Sequence, residues 1–548
     1  MRDALLLVLL VALVYGFGLG QASLWDIDEA IYADISRNMA RSGDWVFPVF
    51  NDAPRFDKPP LILWIGAAAM QVLGPQELAA RLGAYFFGLL SVALVYAFGR
   101  RLHSHGAGIL GGLVLAATLG WFVAGRMGLM DTALSFFVGL SIYQLAAIAA
   151  DLETGPAPRQ LAPYAWLGVA VALGVLTKGP VILILVGGTA LLYLGLRGLW
   201  ALARRWEAWV GLGLFLLVAL PWHVAIYARA GTAWWNDYFG YHMFARFTQP
   251  LEEHGFPWYF YLIVLTVGFL PWTGFAAAGL WDAGRNIGRG PRQGGGPSRP
   301  LWLLGAWFLV VLVFFSASRT KLPGYILPAF LPLAVLTGIW CEERLRRPGA
   351  DRAFLRTLWL SAGAGGAMAA GLAALRSAVP AGYEEVHRLL FALPVTLVAG
   401  MLLTRAFFAW RPDPRGLVYG FGATALAAML ALAALVMPQL EAHKPVKALV
   451  AAAGPELAAG AQLVSAFGDA SSTFYASRYA ERPVVYTHEA AEVRRWLADP
   501  QVLAIVPEAM LPELPGARVV AAAGPAALVR GEPAGSSSDA GPPPAEAP

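Results

Sequence analysis

The apolar positions of this chain fall in long unbroken runs, with neither the two-residue alternation of a half-buried strand nor the narrow stripe of a soluble amphipathic helix. Runs near the length that crosses a bilayer core stand at 5–20, 78–98, 107–124, 132–150, 162–176, 181–194, 209–226, 258–281, 301–316, 325–341, 357–375, 389–408 and 417–437. They predict an α-helical polytopic membrane protein with about thirteen transmembrane helices. Residues 61–73 are apolar but short for a crossing, and predict a helix lying in or near the interface. From Gln439 onward the runs shorten: 462–466, 483–486 and 502–506 read as strands, and 489–497 as an amphipathic helix. The chain therefore divides into a membrane domain at 1–438 and a small C-terminal α/β domain at 439–533. The tail 534–548, rich in Gly, Ser, Pro and Ala, cannot bury a core and is expected to be disordered.

Composition agrees with that pattern and narrows it. A chain of 548 residues with 58% hydrophobic and 14% charged residues is too apolar for a soluble globular protein, whose apolar share is about 45 to 50%; its mean hydropathy is +0.58. Lys and Arg number 40 against 35 Asp and Glu, and the basic residues are scattered over short loops, so no nucleic-acid partner is implied. A lone Cys341 excludes an internal disulfide and a cysteine-based metal site.

The basic residues also set orientation. Arg100 and Arg101, Arg204 and Arg205, Arg285 and Arg289, Arg344 and Arg346, and Arg405 and Arg415 fall in alternate loops, which the positive-inside rule makes cytoplasmic. The amino terminus is then inside and the C-terminal domain outside. Arg126, Asp131, Lys178, His223, Arg246, His254, Arg319 and Lys321 lie in or beside the opposite loops. Each alone reads as a snorkelling or paired side chain, whereas several at one face read as a site that holds an anion.

The densest polar block is 26–60. It contains Asp28-Glu29 with Tyr32-Ala33, then Gly43-Asp44-Trp45, then Phe56-Asp57-Lys58-Pro59-Pro60. On polarity alone this is a solvated loop between spans. Its order resembles the first periplasmic loop, here 22–77, of lipid-carrier-dependent glycosyltransferases with the GT-C fold, specifically the lipid A aminoarabinose transferase (ArnT-like) family, with protein O-mannosyltransferases as more distant relatives. A second match is Lys321-Leu322-Pro323-Gly324-Tyr325-Ile326-Leu327-Pro328, close to that family's Lys-Leu-Pro-x-Tyr-Ile-Leu-Pro motif.

The resemblance implies an inverting membrane enzyme that takes a sugar from a polyprenyl-phosphate donor, undecaprenyl phosphate, at the periplasmic face of the bacterial inner membrane. The sugar would be 4-amino-4-deoxy-L-arabinose or another, and the acceptor lipid A or another envelope component. Membrane lipids are the other expected partners, and a monomer is expected. Residues 5–20 also fit a signal peptide with Gly20-Gln21-Ala22 as cleavage site; the resembling enzymes retain this span, so an uncleaved helix is expected.

Such an enzyme needs cations on the phosphate, an acid at the acceptor and a lipid-lined cavity. Lys58 is restricted to extended conformations by Pro59-Pro60, which suits an ammonium held at the membrane surface. By resemblance it meets the carrier phosphate together with Tyr325, and Arg55, Arg319 and Lys321 are candidates beside them. Asp28, Glu29 and Asp131 match the family's acids. Asp28 would act as general base toward a hydroxyl acceptor, whereas a phosphate acceptor needs none. Asp131 reads equally well as a helix N-cap. In the relatives a His and the acid of the Lys-Pro-Pro motif share a divalent ion, which implies Asp57 and His254 on zinc or magnesium, although two protein ligands are fewer than the usual three. One departure concerns the sugar: the family often carries Arg where this chain has Ile31. The rival readings are a protein O-mannosyltransferase-like enzyme and, in another class, a lipid-linked sugar transporter or flippase, which usually shows paired internal repeats.

Overall fold

The computed structural model describes residues 2–24, 27–153, 160–197, 205–250, 255–288, 298–347, 350–378, 384–410, 413–441, 443–467 and 470–531. His254 and the tail 534–548 lie outside them. The chain forms two compact units, one within 1–25, 35–50 and 54–438, the other within 26–34, 51–53 and 439–548.

The first unit is helical. Among the described residues, Glu77–Leu102, Asp131–Ala150, Trp206–Thr248, Pro323–Leu345, Arg352–Ser377 and Pro414–Glu441 are long and apolar enough to cross a membrane, with a seventh if the pair Phe260–Gly268 and Thr273–Asn286 counts as one span. Six shorter apolar helices of 10–17 residues stand beside them among the described residues, so length alone neither reaches nor excludes the expected thirteen, and some apolar runs are broken. The run 107–124 divides into His105–Ala116 and Leu119–Ala124, and the run 258–281 bends by 118°. The two breaks meet, Leu119 N–H donating to the Leu270 carbonyl at 2.8 Å. Leu61–Leu73 is a helix as expected.

Helices in this unit cross where glycines remove the Cβ. A Cβ on Gly99 would stand 2.7 Å from Gly108 Cα, one on Gly168 would strike the Gly211 carbonyl, and one on Gly338 would meet Ala107 and Gly111. In lipid, where burying apolar surface between helices gains little, such close backbone approach supplies the dispersion energy of packing. Buried arginines tie down the end of the first helix, Arg2–Gly16, and the segment that follows it. Arg81 donates to the carbonyls of Leu19, Ala22 and Ser23, each at 2.8 Å, and Arg126 to those of Tyr15 and Phe17.

The second unit carries a five-stranded sheet in the order Val485–Tyr486, Gln462–Ser465, Val502–Pro507, Ala526–Gly531, Ala517–Ala523. The first three strands are parallel, and the last two form an antiparallel hairpin on Val502–Pro507. Val464, Val493, Val502, Ala504, Val506 and Val529 pack one core beneath it. The hairpin was not visible in the sequence, since runs of Ala and Val there give no clean alternation. Its turn is set by Gly524, at φ +52°. The start of the helix Ile27–Ser42 and residues 51–53 belong to this unit.

Candidate active site

The Lys-Pro-Pro corner leads into Leu61–Leu73, with the Pro60 carbonyl accepting from Trp64 N–H at 2.7 Å. Phe56 anchors it in a core with Leu176, Trp222, Ile226, Trp234 and Tyr238. Asp57 is 3% exposed, its Oδ2 3.5 Å from Lys58 Nζ and its Oδ1 3.7 Å from Arg55 Nε. Burial alone would push this carboxyl up, but the Lys58 and Arg55 charges outweigh it and hold the group below the usual carboxylate range. His242 stands near enough to act on the same charge, with its Nε2 3.5 Å from Asp237 Oδ1.

The Gly-Asp-Trp piece is architectural. Asp44 Oδ1 accepts from the amides of Val46 and Phe47 at 3.1 and 3.2 Å. Arg229 donates to both Asp44 oxygens at 2.7 Å and lies 5.0 Å from the Phe47 ring centre. The carbonyls of Trp45 and Val46 accept from the indoles of Trp64 and Trp222, at 2.6 and 3.1 Å.

The second motif approaches from the far end of the chain. Arg319 N–H and Thr320 N–H donate to the carbonyls of Phe247 and Arg246 at 3.0 and 3.2 Å, and Tyr261 hydroxyl to that of Leu322 at 3.2 Å. Pro323–Ala329 then makes a short 3-10 turn before the helix Phe330–Leu345. Here Arg246 Nη1 donates to the Tyr325 hydroxyl at 3.5 Å, and the Lys178 ammonium lies 4.7 Å from the Tyr325 ring centre. That ammonium also pairs with Asp131. Lys178 is presented by the end of Ala162–Lys178, which Gly179 closes at φ +78°.

These groups surround one cavity of about 550 Å³. Asp57, Lys58, Lys178, His242, Arg246 and Tyr325 line it together with Leu134, Val181, Ile184, Phe239, Met243, Phe244, Phe247, Phe314 and Phe315. Such a space suits a molecule with an anionic head and an apolar tail.

Of the residues singled out in the sequence, Lys58, Asp57, Lys178, Arg246 and Tyr325 line this cavity. Asp131 is the partner of Lys178, and Arg55 that of Asp57. Arg319 is exposed, and the buried Lys321 ammonium turns onto the Ser318 carbonyl; neither lines the cavity. Arg126 caps the first helix, and His223 bonds the Ala219 carbonyl at 2.8 Å within an aromatic cluster. Asp28 and Glu29 stand in the first turn of Ile27–Ser42, in the other unit, Glu29 fully buried and Asp28 partly exposed. His242 was missed, though His242 and Arg246, four residues apart, could have been read as one helix face. For a metal, Asp57 already faces two cations, and no group of three or more His, Cys, Asp or Glu among the described residues could hold an ion. The donor set falls short of a usual catalytic site.

Comparison with known proteins supplies the remaining context. Residues 2–235 match the family model described as dolichyl-phosphate-mannose-protein mannosyltransferase. An undecaprenyl phosphate-alpha-4-amino-4-deoxy-L-arabinose arabinosyl transferase of Pseudomonas paraeruginosa (strain DSM 24068 / PA7) is 35% identical over 414 residues, 74% of this chain and 71% of that one. A second transferase of the same name, from Pseudomonas fluorescens (strain Pf0-1), is 31% identical over 471 residues, 84% of this chain and 80% of the relative. The crystal structure of ArnT from Cupriavidus metallidurans bound to undecaprenyl phosphate superposes with a TM-score of 0.77 at 23% identity, over 96% of this chain and 97% of the other. An oligosaccharyltransferase of Archaeoglobus fulgidus shares the fold more distantly, at a TM-score of 0.52 and 12% identity, over 92% of this chain and 69% of that one. With this identity over most of both sequences, the chain belongs to the undecaprenyl phosphate-aminoarabinose arabinosyl transferases, a family of multi-pass membrane glycosyltransferases with the GT-C fold.

Proposed function

We propose that this enzyme moves 4-amino-4-deoxy-L-arabinose from undecaprenyl phosphate to lipid A at the periplasmic face of the bacterial inner membrane. The observation that carries this reading is the cavity, where Lys58, Arg246 and Tyr325 meet one wall of aliphatic and aromatic side chains. Its polar part suits the carrier phosphate and its apolar part the isoprenoid tail.

In the reaction the bond between the anomeric carbon and the carrier phosphate oxygen breaks, and an acceptor oxygen bonds the same carbon from the opposite face. The departing phosphate gains charge as it leaves, and Lys58, Arg246 and the Tyr325 hydroxyl offer charge-assisted hydrogen bonds to it. Asp131 holds Lys178 against the Tyr325 ring and so keeps the tyrosine in place. Asp28 and Glu29 are assigned to the acceptor. A lipid A phosphate is already ionised and needs orientation, whereas a hydroxyl acceptor would pass its proton to Asp28.

The test is reconstitution of purified protein with undecaprenyl-phosphate-linked aminoarabinose and lipid A, followed by mass spectrometry. A lipid A product heavier by one aminoarabinose is expected. Because Ile31 replaces a cation common in the family, parallel reactions with neutral carrier-linked sugars, and with Ser- or Thr-bearing peptides, decide sugar and acceptor. No transfer from any carrier-linked sugar would overturn the reading. Lys58→Ala should weaken carrier-phosphate binding by roughly 10- to 150-fold, the equivalent of one charge-assisted hydrogen bond; unchanged affinity would remove Lys58 from the site.

A further inference from the structure

We infer that Asn51 is a positioning residue through which the C-terminal sheet fixes the helix turn bearing Asp28 and Glu29; this rests on the assignment of those two acids to the acceptor. Asn51 adopts φ +50°, a left-handed conformation that asparagine tolerates better than most residues. Its side-chain amide engages both backbone groups of Val484. Nδ2 donates to the Val484 carbonyl at 2.9 Å, and Oδ1 accepts from Val484 N–H at 2.7 Å. Val484 immediately precedes Val485–Tyr486, the edge strand of the sheet. The Asn51 amide thus pairs there as a residue of an added strand would.

The grip is backed on both sides. Oδ1 also accepts from Thr473 Oγ1 at 3.3 Å. Thr473 is held in turn by the Tyr486 hydroxyl, which lies 2.8 Å from its Oγ1 and accepts from its backbone N–H at 3.2 Å; Tyr486 itself donates to the Ala470 carbonyl at 3.2 Å. On the other side, Asn51 N–H donates to Asp34 Oδ2 at 3.3 Å. Asp34 is fully buried on the helix Ile27–Ser42, about 9 Å along the axis from Asp28.

This matters because the first turn of a helix lacks intrahelical acceptors for its own amides and is where fraying starts. Asp28 and Glu29 stand in that turn. Fastening Asp34 to the sheet through Asn51 stops the fraying two turns in, and so fixes where the acids stand. The sheet formed after residue 439 then has a part in catalysis without supplying a catalytic residue.

The test uses the full-length protein with the carrier-linked donor. Asn51→Gly removes the amide grip while keeping a residue at ease with positive φ and a backbone N–H for Asp34. It should lower kcat by about tenfold, the order expected from losing one or two net hydrogen bonds, with KM for the donor and the melting temperature retained. Hydrogen exchange of amides 27–34 should quicken while the rest of the chain is unchanged. Tyr486→Phe should give a smaller change of the same kind. Unchanged kcat with unchanged exchange at 27–34 would overturn the inference, as would kcat falling only together with melting temperature and global exchange. Asp28→Asn in the same assay separates the two readings: full activity there discards the catalytic assignment, while the exchange experiment still decides whether Asn51 holds the turn.

Discussion

Gly324 is held to zero side chain by a carboxylate. A Cβ there would stand 2.8 Å from Asp131 Oδ2, and Asp131 cannot swing away without releasing Lys178. Gly324→Ala should therefore shift Asp131, Lys178 and the Tyr325 ring together, lowering turnover by about 10- to 100-fold, the loss that follows from misplacing reacting groups by about an ångström. Steady-state kinetics beside a thermal melt checks this, and normal turnover would show that the Lys178–Asp131 pair is only structural. In the sequence this position was a variable letter inside a motif. Lys58 and Tyr325 were legible because rigid prolines flank them in a recognisable order; His242 was not, because a histidine followed by Met and Phe looks like any interfacial residue until the fold brings it beside Asp57. For Arg319 and Lys321 the reverse holds, their charge being visible in the sequence while their direction, which leaves both outside the cavity lining, is not.

At the level of elements, the first loop owes its shape to the Asp44 clamp as much as to the Lys-Pro-Pro corner. The hydrogen bonds from Arg229 lower the Asp44 pKa, those from the Val46 and Phe47 amides adding to the effect against a smaller cost of burial. A carboxyl with a depressed folded pKa adds stability that is full above its unfolded pKa of about 3.9 and fades as the pH falls through the folded value. Asp44→Asn should remove that dependence. It should also cost about 1 kcal/mol at neutral pH, a modest figure because the pair is partly exposed to solvent; detergent-solubilised thermal melts between neutral and acid pH check both. Helices were legible as apolar runs, and their breaks were not. The run 258–281 has membrane length yet bends by 118°, and nothing in its hydropathy marks the bend.

For the molecule as a whole, topology governs every assignment in the first loop. A reporter fused after Gln439 should lie outside the cytoplasm and one fused at Arg285 inside, as the distribution of arginines requires; the reverse pattern would put the proposed site on the wrong face. The two units were legible as a change in run length near Gln439, but not the capture of residues 27–34 and 51–53 by the second, which depends on contacts between segments hundreds of residues apart. The glycine crossings carry a consequence for inheritance. Any glycine codon becomes an alanine codon through a change of its middle base, so Gly99, Gly168 and Gly338 each stand one such change from a Cβ aimed at a neighbouring helix backbone. Spontaneous loss-of-function alleles should accordingly collect at these crossings, far from the chemistry, and show themselves as lower protein abundance with donor affinity intact in whatever enzyme still folds.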